Sequence, residues 1–302
     1  MKNILVISYS QTGQLTTILN QICSPLEKDS GIQVDHYVIE PETSYPIPWP
    51  SEEFFRVMPD SVQGKPCKIK PLNIPDIKNY DLIILGYQVW YLSPSLPIAA
   101  FLKSSEGKQI LSGKDIITVL GVRNMWVMAH KIVHSLLQEA GACHKGNIVL
   151  EDKNNNLISV LTIIKWLMHG DKGPYKHLPE AGVSKTDIMN SERFGKIIRV
   201  ALLKNKKCFQ PDLLNAGAVE IHYPIYQMEK NARRIFKIWA GILVKQRLKG
   251  RGIEALWLRL FKFYLLFMIF AISPLAHIVF SLKRIILFRK TSLEMGRIKN
   301  IC

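Results

Sequence analysis

The stretch of this sequence with the clearest chemical meaning is Ser10-Gln11-Thr12-Gly13-Gln14, which lies between the apolar run Asn3–Ser8 and a helical pattern that starts at Leu15. Two hydroxyls and a glycine at a strand-to-helix junction suit a phosphate monoester, because backbone N–H groups converge there and the helix dipole favours an anion. Gly13 would allow the backbone to approach the phosphate closely. An ordinary turn with a helix cap uses the same residue types and is the alternative.

Two other segments carry side chains suited to a flat heteroaromatic ring. Tyr87-Gln88-Val89-Trp90-Tyr91 follows the apolar run Asp81–Gly86, and Gly121-Val122-Arg123-Asn124 follows Asp115–Leu120. Aromatic side chains can stack on such a ring, while a Gly/Arg/Asn turn offers polar contacts to its edge. Packing in the core is the alternative for Trp90 and Tyr91 taken singly.

The elements that must position these segments alternate between short apolar runs and helical patterns. This alternation predicts βαβ units and an α/β fold with a doubly wound, five-stranded parallel sheet. The predicted strands are Asn3–Ser8, Val34–Ile39, Asp81–Gly86, Asp115–Leu120 and Asn147–Leu150, and a helix over about Lys185–Leu203 closes the domain. Because such sheets bind ligands beyond the carboxyl ends of their strands, we expect the three loops to face one another.

Eight of the 16 prolines fall between Pro41 and Pro75. Proline removes a backbone donor and fixes φ, so we predict an extended loop here and not a helix or central strand. Aromatic residues within it, among them Trp49 and Phe54, indicate that the loop packs on the domain. A surface arm that covers the sheet edge and a lid over a ligand both fit this pattern.

Net charge divides the chain in two. The formal charge of +16 arises mainly from Lys230–Cys302, which has 16 Lys and Arg against only Glu254 and Glu294. The helical spacing of Ile235, Ile238, Trp239 and Ile242 among these basic residues predicts an amphipathic helix suited to an anionic membrane surface. A solvated helix packed on the domain is the alternative. Nucleic acid would also fit the charge, but the apolar segment that follows favours lipid.

That apolar segment is Phe263–Leu282, 20 residues without Asp, Glu, Lys or Arg. This length spans a bilayer core as a helix. Ser273-Pro274 interrupts it near the middle, and basic residues flank both ends. Because short basic flanks stay in the cytoplasm, a kinked or re-entrant segment is slightly favoured over a single span, and a buried core helix is the alternative.

The phosphate loop resembles that of flavodoxins, whose pattern is Thr/Ser-x-Thr-Gly-x-Thr. Leu15 stands where the last threonine is usual, and Thr16 or Ser8 is placed to replace its hydroxyl. Tyr80–Lys103 resembles the strand, ring-binding loop and helix of flavodoxin-like NAD(P)H:quinone reductases, with Tyr87-Gln88 in place of Thr-Pro. The resemblance implies a bound FMN, and leaves open whether NAD(P)H is used.

A narrower resemblance rests on YSQTGQL (Tyr9–Leu15), GYQVWYLSPSLP (Gly86–Pro97) and RNMWVMA (Arg123–Ala129). Over roughly Met1–Gly241 the chain is similar to bacterial dialkylresorcinol biosynthesis proteins, often labelled condensing enzymes. This family works beside a ketosynthase in making aryl lipids of flexirubin-type pigments. The implied reaction is the aromatisation of a cyclohexanedione that carries two alkyl chains, with FMN as hydride acceptor. The resemblance and the tail together imply the cytoplasmic face of a bacterial inner membrane.

We therefore predict an FMN-binding domain over 1–208, a linker and basic helix over 209–252, and a membrane-associated tail over 253–302. Tyr91 and Arg123 are the candidates for stabilising an enolate, and His130 and His134 are expected to be structural or exposed. No cysteine spacing indicates a metal site. The predicted cofactor contacts are Ser10, Gln11, Thr12, Gly13, Gln14, Leu15, Tyr87, Gln88, Val89, Trp90, Gly121 and Asn124.

Three functions remain open at this level. The favoured one is a membrane-associated flavoenzyme acting on an aryl-lipid precursor, with a lipidic substrate, a ketosynthase partner and an anionic membrane. The second is a general NAD(P)H:quinone oxidoreductase. The third is an electron carrier or a scaffold without catalytic activity. A homo-oligomer is compatible with each of them.

Overall fold

A five-stranded parallel sheet forms the centre of the computed structural model, which describes residues 1–74 and 79–300. The strand order is β2-β1-β3-β6-β7. This order is that of flavodoxin-like doubly wound sheets, so the predicted α/β class and parallel sheet are confirmed. The sheet strands are β1 (Lys2–Ser8), β2 (Ile32–Val38), β3 (Leu82–Gly86), β6 (Asp115–Val122) and β7 (Cys143–Glu151), and a separate short antiparallel ladder pairs β4 (Val89–Trp90) with β5 (Ser93–Pro94).

The order of strands reverses between β1 and β3, which pair in parallel with Ser8 opposite Gly86. From β1 the chain proceeds to β2 on one side, and from β3 it proceeds to β6 and β7 on the other. The loops that leave these two strands therefore separate and create a crevice. Ile4, Leu5, Val6 and Ile7 are all buried, which explains why β1 is continuously apolar and does not alternate.

Helices cover both faces of the sheet, with α1 packed on α9 and α4 on α6. Gly195 of α9 permits this close approach, because a Cβ there would lie 1.9 Å from the carbonyl oxygen of Ile22 in α1. The predicted helix Lys185–Leu203 is two helices with a break at Ser191. The helices of the α/β part are α1 (Gln14–Glu27), α2 (Ser51–Arg56), α3 (Met58–Gln63), α4 (Leu96–Lys103), α5 (Ser105–Leu111), α6 (Val127–Glu139), α7 (Asn156–His169), α8 (Lys185–Asn190), α9 (Glu192–Leu203) and α10 (Gln210–Asn215).

The prediction of an extended loop over the proline-rich segment is wrong for α2 and α3. Pro50 lies at the N-cap of α2, and Pro59 lies in the first turn of α3. Proline costs little at these positions, because the first N–H groups of a helix have no partner within the helix. The prolines thus mark where the short helices begin, and they do not exclude them. Pro75, the end of the predicted loop, lies outside the described residues.

Four helices form the C-terminal part: α11 (Tyr223–Arg247), α12 (Arg251–Phe267), α13 (Ser273–Ile286) and α14 (Phe288–Lys299). Phe236, Ala240 and Leu243 of α11 are buried with Met58 and Val62 of α3. The basic helix is therefore packed on the domain, which was the alternative to a membrane-surface helix. Arg247 contributes by donating to both carboxylate oxygens of Asp60, at 3.2 and 3.0 Å.

Helices α12 and α13 are joined by a π-helical turn, Met268–Ile272, into one helix of 36 residues. The wider turn lies just before Pro274, so the missing proline N–H is accommodated without ending the helix. By length and composition this helix could cross a membrane, and its most apolar stretch is not buried. The predicted segment Phe263–Leu282 lies within it.

Candidate functional site

The three predicted loops meet at the carboxyl edge of the sheet around one cavity of about 290 Å³. The loop after β1 contributes Gln11, Thr12, Gln14 and Leu15 to its wall. The end of β6 and the loops after β3 and β6 contribute the other predicted residues that line it, which are Gln88, Val89, Trp90, Tyr91, Gly121 and Arg123. The cavity lies where the strand order reverses, the position at which sheets of this kind bind ligands.

The bend before α1 has the properties of an anion site. Gly13 occupies the N-cap of α1 with φ of 78°, and no side chain among residues 1–74 and 79–300 caps the helix. In the described part of the chain, the backbone N–H groups of Thr12, Gly13, Gln14 and Leu15 donate to no protein acceptor. Four free amides at a helix N-terminus attract a phosphate through both their hydrogen bonds and the helix dipole.

Glutamine side chains hold the bend in place. Gln88 accepts a hydrogen bond from the Gln11 backbone N–H at 3.1 Å, which ties the first loop to the second. The Gln14 amide makes two bonds with the Val183 backbone, at 3.1 and 3.3 Å, which ties α1 to the segment before α8. The side chain of Gln11 donates to the carbonyl of Tyr45 at 3.3 Å. These hydrogen bonds attach the bend to the second loop, to the proline-rich segment and to the segment before α8.

Aromatic side chains form the opposite side of the cavity. Trp90 packs against Tyr45, Trp49 and Tyr9, with ring centroids 4.9, 5.0 and 5.9 Å away. Trp49 comes from the proline-rich segment, is buried and lines the cavity together with Phe54. The proline-rich segment therefore covers part of the cavity, and Trp166 of α7 also lines it. We call the side chains of Trp49, Phe54 and Trp166 the cover. Neither Trp49 nor Trp166 was among the predicted site residues, because both come from segments remote in sequence.

Arg123 is a half-buried cation in the cavity wall. Its Nη1 donates to the side-chain oxygen of Asn156 at 2.7 Å and to the Asn156 carbonyl at 3.2 Å. No carboxylate among the described residues lies within ion-pair distance of it, and burial lowers its pKa to about 10, against the opposing effect of Asp152 and Glu229. A guanidinium held in this way can stabilise negative charge on a bound molecule.

Two predicted contacts lie elsewhere. Asn124 faces away from this cavity and donates through Nδ2 to the Asn156 side-chain oxygen at 2.7 Å. The side chain of Tyr87 is fully buried beneath the loop, and its hydroxyl pairs with Nδ1 of His130 at 3.2 Å. Only the backbone of Tyr87 therefore remains near the loop. Ser10 and Gly13 belong to the bend but do not form the cavity wall; the Ser10 hydroxyl accepts from the Thr16 N–H at 3.4 Å.

Tyr91 combines an unusual backbone with an engaged hydroxyl. Its φ is 48°, and that of Leu92 is 60°, both in the left-handed region that side chains other than glycine rarely adopt. The hydroxyl donates to the carbonyl of Phe54 at 2.8 Å, and burial raises its pKa well above the usual range. Tyr91 therefore attaches the proline-rich segment to the second loop, and its hydroxyl proton is already used in the hydrogen bond to Phe54.

The two histidines near the third loop are structural in the described chain. Burial lowers the pKa of His130 to about 3, with His134 and Lys131 adding to the effect. His134 pairs with His144 at 2.9 Å between their Nδ1 atoms. Both are thus kept neutral and face the core side of α6, which agrees with the structural role expected from the sequence.

A buried carboxylate that the sequence did not reveal supports the third loop. Glu229 of α11 accepts from the N–H of Met128 at 2.8 Å and from that of Val127 at 3.2 Å, and so caps α6. Burial raises its pKa to about 7, although these two amides lower it. Because 101 residues separate Glu229 from Met128, no local pattern indicates the cap. Helix α11 is therefore part of the site's framework.

Comparisons with known proteins find similar solved structures, but they do not assign this chain to a family. No protein-family model matches the chain, and no curated protein matches it. Among solved structures, a flavoprotein in complex with FMN from Lactobacillus acidophilus NCFM is 21% identical, with 49% of this chain and 93% of that chain covered and a TM-score of 0.38. A flavodoxin from the domain Archaea is 13% identical, with 67% and 99% covered and a TM-score of 0.36. At these values the similarity supports no conclusion on function, and the fold is assigned from strand order.

Proposed function

We propose that this chain is an FMN-binding redox protein. The proposal depends above all on the bend before α1, where Thr12, Gln14 and Leu15, whose amides have no acceptor among the described residues, line the same cavity as Trp90 and Arg123. The bend is suited to the phosphate of FMN, since it offers hydrogen-bond donors and the positive end of a helix. The aromatic wall suits an apolar, flat ring, and Arg123 suits its polar edge. FMN would supply a two-electron acceptor for hydride at this position.

The chain's own residues would hold a substrate beside the cofactor and exclude water. Trp49, Phe54 and Trp166 cover the cavity, so a bound ring would be shielded from solvent on that side. The Arg123 guanidinium would stabilise negative charge that develops on a carbonyl oxygen when a neighbouring C–H loses its proton. Tyr91 would position the cover, because its hydroxyl is held by Phe54.

The finer proposal is that the substrate is an aryl-lipid precursor and that the protein works at a membrane. Large apolar side chains are exposed in a stripe along α12 and α13, while Glu254, Leu258 and Phe261 on another face of α12 are buried. The stripe comprises Leu256, Leu260, Phe263, Phe267, Phe270, Leu275, Ile278, Val279, Leu282, Ile285 and Ile286. An apolar stripe on a helix that is otherwise docked suits a helix lying in the plane of a bilayer surface.

The end of the described chain supports this placement. Beyond the apolar helix, Thr291 and Met295 of α14 are buried, and Gln210 of α10 donates to the carbonyl of Lys299 at 2.8 Å. Both ends of the apolar helix are thus attached to the same domain, which a helix crossing the bilayer would not allow without undocking. Exposed Arg259, Lys283, Arg284, Arg289 and Lys290 flank the stripe and suit anionic headgroups.

In this proposal the protein aromatises a dialkyl cyclohexanedione supplied by a ketosynthase. The substrate would lose a proton from one C–H and a hydride from the neighbouring C–H, and its ring would tautomerise to a resorcinol. FMN held by the bend before α1 would supply the two-electron acceptor for these two hydrogens, so one turnover would need no other oxidant. Membrane placement would give the enzyme access to a substrate with two alkyl chains.

The test is to purify the full chain from membranes in detergent and to record its visible spectrum. We expect flavin absorbance and the release of FMN on denaturation. Bleaching by a dialkyl cyclohexane-1,3-dione under anaerobic conditions would then identify the enzyme, while bleaching only by NAD(P)H would indicate a quinone reductase. A colourless protein that FMN cannot reconstitute would refute the proposal.

A further inference from the structure

The first cavity, which is the one proposed for the flavin, has a volume of about 290 Å³. Among the described residues, none lines both this cavity and a second one, of about 700 Å³, which lies between the carboxyl end of β7 and α13. Pockets that enclose one drug-sized ligand measure about 300–1,000 Å³, and FMN with a substrate beside it exceeds one such ligand. The cover must therefore move outwards before the first cavity can enclose both molecules.

Helix α2 connects the cover to the tail. Its residues Phe54 and Phe55 are neighbours in the chain, but their rings have different partners. The Phe54 ring belongs to the cover and packs on Trp49, with ring centroids 5.3 Å apart. The Phe55 ring packs on Phe261 of α12, with centroids 6.1 Å apart, and Nζ of Lys262 lies 5.9 Å from the centre of the Phe55 ring. Outward movement of the Phe54 ring would therefore disturb the contacts between α2 and α12.

Polar contacts reinforce this connection at both ends of α2. At its first residue, Ser51 accepts a hydrogen bond from Nζ of Lys262 at 3.4 Å. At its last residue, Nε of Arg56 lies 3.7 Å from Oε2 of the buried Glu254. Arg247 of α11 donates to the Arg56 carbonyl at 2.9 Å and to Glu254 at 2.8 Å. None of the six residues of α2, all of them described, is buried, so the position of this short helix depends on such contacts.

Helix α12 has two apolar faces with different surroundings. Leu258 and Phe261 are buried, whereas Leu260 and Phe263 belong to the exposed stripe. Separation of α2 from α12 in water would expose the rings of Phe55 and Phe261, which is unfavourable. At a bilayer surface, acyl chains can cover the same rings, so the free-energy cost of the separation is smaller. Water therefore favours contact between α2 and α12, and lipid favours their separation.

We propose that the contacts between α2 and α12 form a latch, which keeps the cover closed in water and releases it at an anionic bilayer. The basic residues that flank the stripe bring α12 to the bilayer, and acyl chains then replace α2 on Phe261. Opening of the cover and binding of the bilayer favour each other, because linked equilibria are reciprocal. The latch restricts access to the first cavity to protein that is bound to a bilayer. This inference rests on the proposed membrane placement, and it does not depend on bound FMN.

Hydrogen exchange followed by mass spectrometry tests the latch in the full chain. The backbone N–H groups of Phe54 and Val57 report on α2, because they donate to the carbonyls of Pro50 and Glu53. Exchange is measured in buffer and on vesicles of phosphatidylglycerol and phosphatidylcholine. We expect these two amides to exchange at least about fivefold faster on the vesicles, whereas the amides of β1 stay within about twofold. Unchanged or slower exchange of α2 on the vesicles would overturn the inference.

A pair of variants on α12 identifies the latch. Phe261→Ala removes the ring that packs on Phe55, so we expect α2 to exchange at least about fivefold faster in buffer and the vesicles to add less than about twofold. Phe263→Ala removes an exposed ring of the same helix, and its α2 exchange in buffer should stay within about twofold of the parent chain. Equal α2 exchange in the two variants would show that α12 is not the latch. Exchange of β1 reports whether each variant is folded, and the vesicle response of the parent chain decides the matter if Phe261→Ala unfolds.

Two further measurements on the same samples separate this inference from the proposed function. Flotation with the vesicles reports membrane binding, and the visible spectrum reports FMN. A chain that floats without faster α2 exchange keeps the membrane placement and refutes the latch. A chain that does not float refutes both, while its spectrum still decides the redox proposal. A colourless protein with faster α2 exchange on vesicles would support the latch and refute the redox proposal.

Discussion

A charge placed in the bend before α1 gives the sharpest test of the phosphate site. Thr12 lies between unpaired amides and lines the first cavity, so Thr12→Asp would set a carboxylate beside the proposed phosphate. Two unit charges about 4 Å apart repel by about 4 kcal/mol at an effective dielectric constant of about 20. The neighbouring Gly13 is exposed, and solvent screening reduces this to about 2 kcal/mol. We therefore expect Kd for FMN to rise about 30-fold.

The assay is titration of the flavin-free protein with FMN, followed by quenching of flavin fluorescence. Thr12→Asn is the matched control, because it has nearly the shape of aspartate without its charge, and it should bind within about threefold of the parent chain. Riboflavin lacks the phosphate, so its affinity should be equal in the two variants. Equal affinity of the Asp and Asn variants for FMN, or an equal loss for riboflavin, would show that the bend does not hold the phosphate.

Three other predictions concern the framework of the site. Glu229→Ala should lower the free energy of unfolding by about 1–3 kcal/mol in urea titration, because two amides of α6 lose their acceptor, whereas Glu294→Ala at a partly exposed ion pair should change it by less than about 0.5 kcal/mol. Burial raises the Glu229 pKa from 4.5 to about 7, so the folded state binds this proton more tightly than the unfolded state does, and the group's contribution to the free energy of unfolding is fully present below pH 4.5 and is lost as the pH rises towards 7. Over that range the free energy of unfolding of the parent chain should fall by up to about 3 kcal/mol relative to that of Glu229→Gln. Parallel curves of stability against pH for the two proteins would contradict the assignment. Trp49→Ala should speed the release of FMN up to about tenfold in stopped-flow dilution, because the cover loses its packing on Trp90, and an unchanged rate would show that the proline-rich segment does not cover bound flavin.

The sequence was sufficient for elements whose signal is local. Strand β1 was predicted because residues buried on both faces must all be apolar, and its carboxyl end carries a glycine and two hydroxyls before a helix. The parallel direction of the sheet followed from the alternation of strands and helices. Because loops after parallel strands emerge at one edge, the convergence of the three loops followed as well.

The local sequence pattern did not predict the direction in which each side chain points. Tyr87 and Trp90 are both aromatic residues of the second loop, yet one points into the core towards His130 and the other lines the cavity. The positive φ of Tyr91 turns the chain directly after Trp90. In the same way, Arg123 and Asn124 are neighbours in the chain that line different cavities.

The proline-rich segment and the tail show the same limit at a larger scale. Composition predicted an extended loop over the proline-rich segment, and it could not show that α3 would find a partner in α11, from which Phe236 and Ala240 cover Met58. Burial against a remote helix stabilises short helices that would not form alone.

By itself, the sequence determined the fold class, the bend between β1 and α1 and the apolar, basic character of the tail, because each of these is encoded by neighbouring residues and their periodicity. Only the tertiary structure decided which side chains face the first cavity, that Glu229 caps α6, and that a second cavity opens between β7 and α13. The physical reason is that these features arise from contacts between segments far apart in the chain, whose geometry is fixed only when the whole core packs.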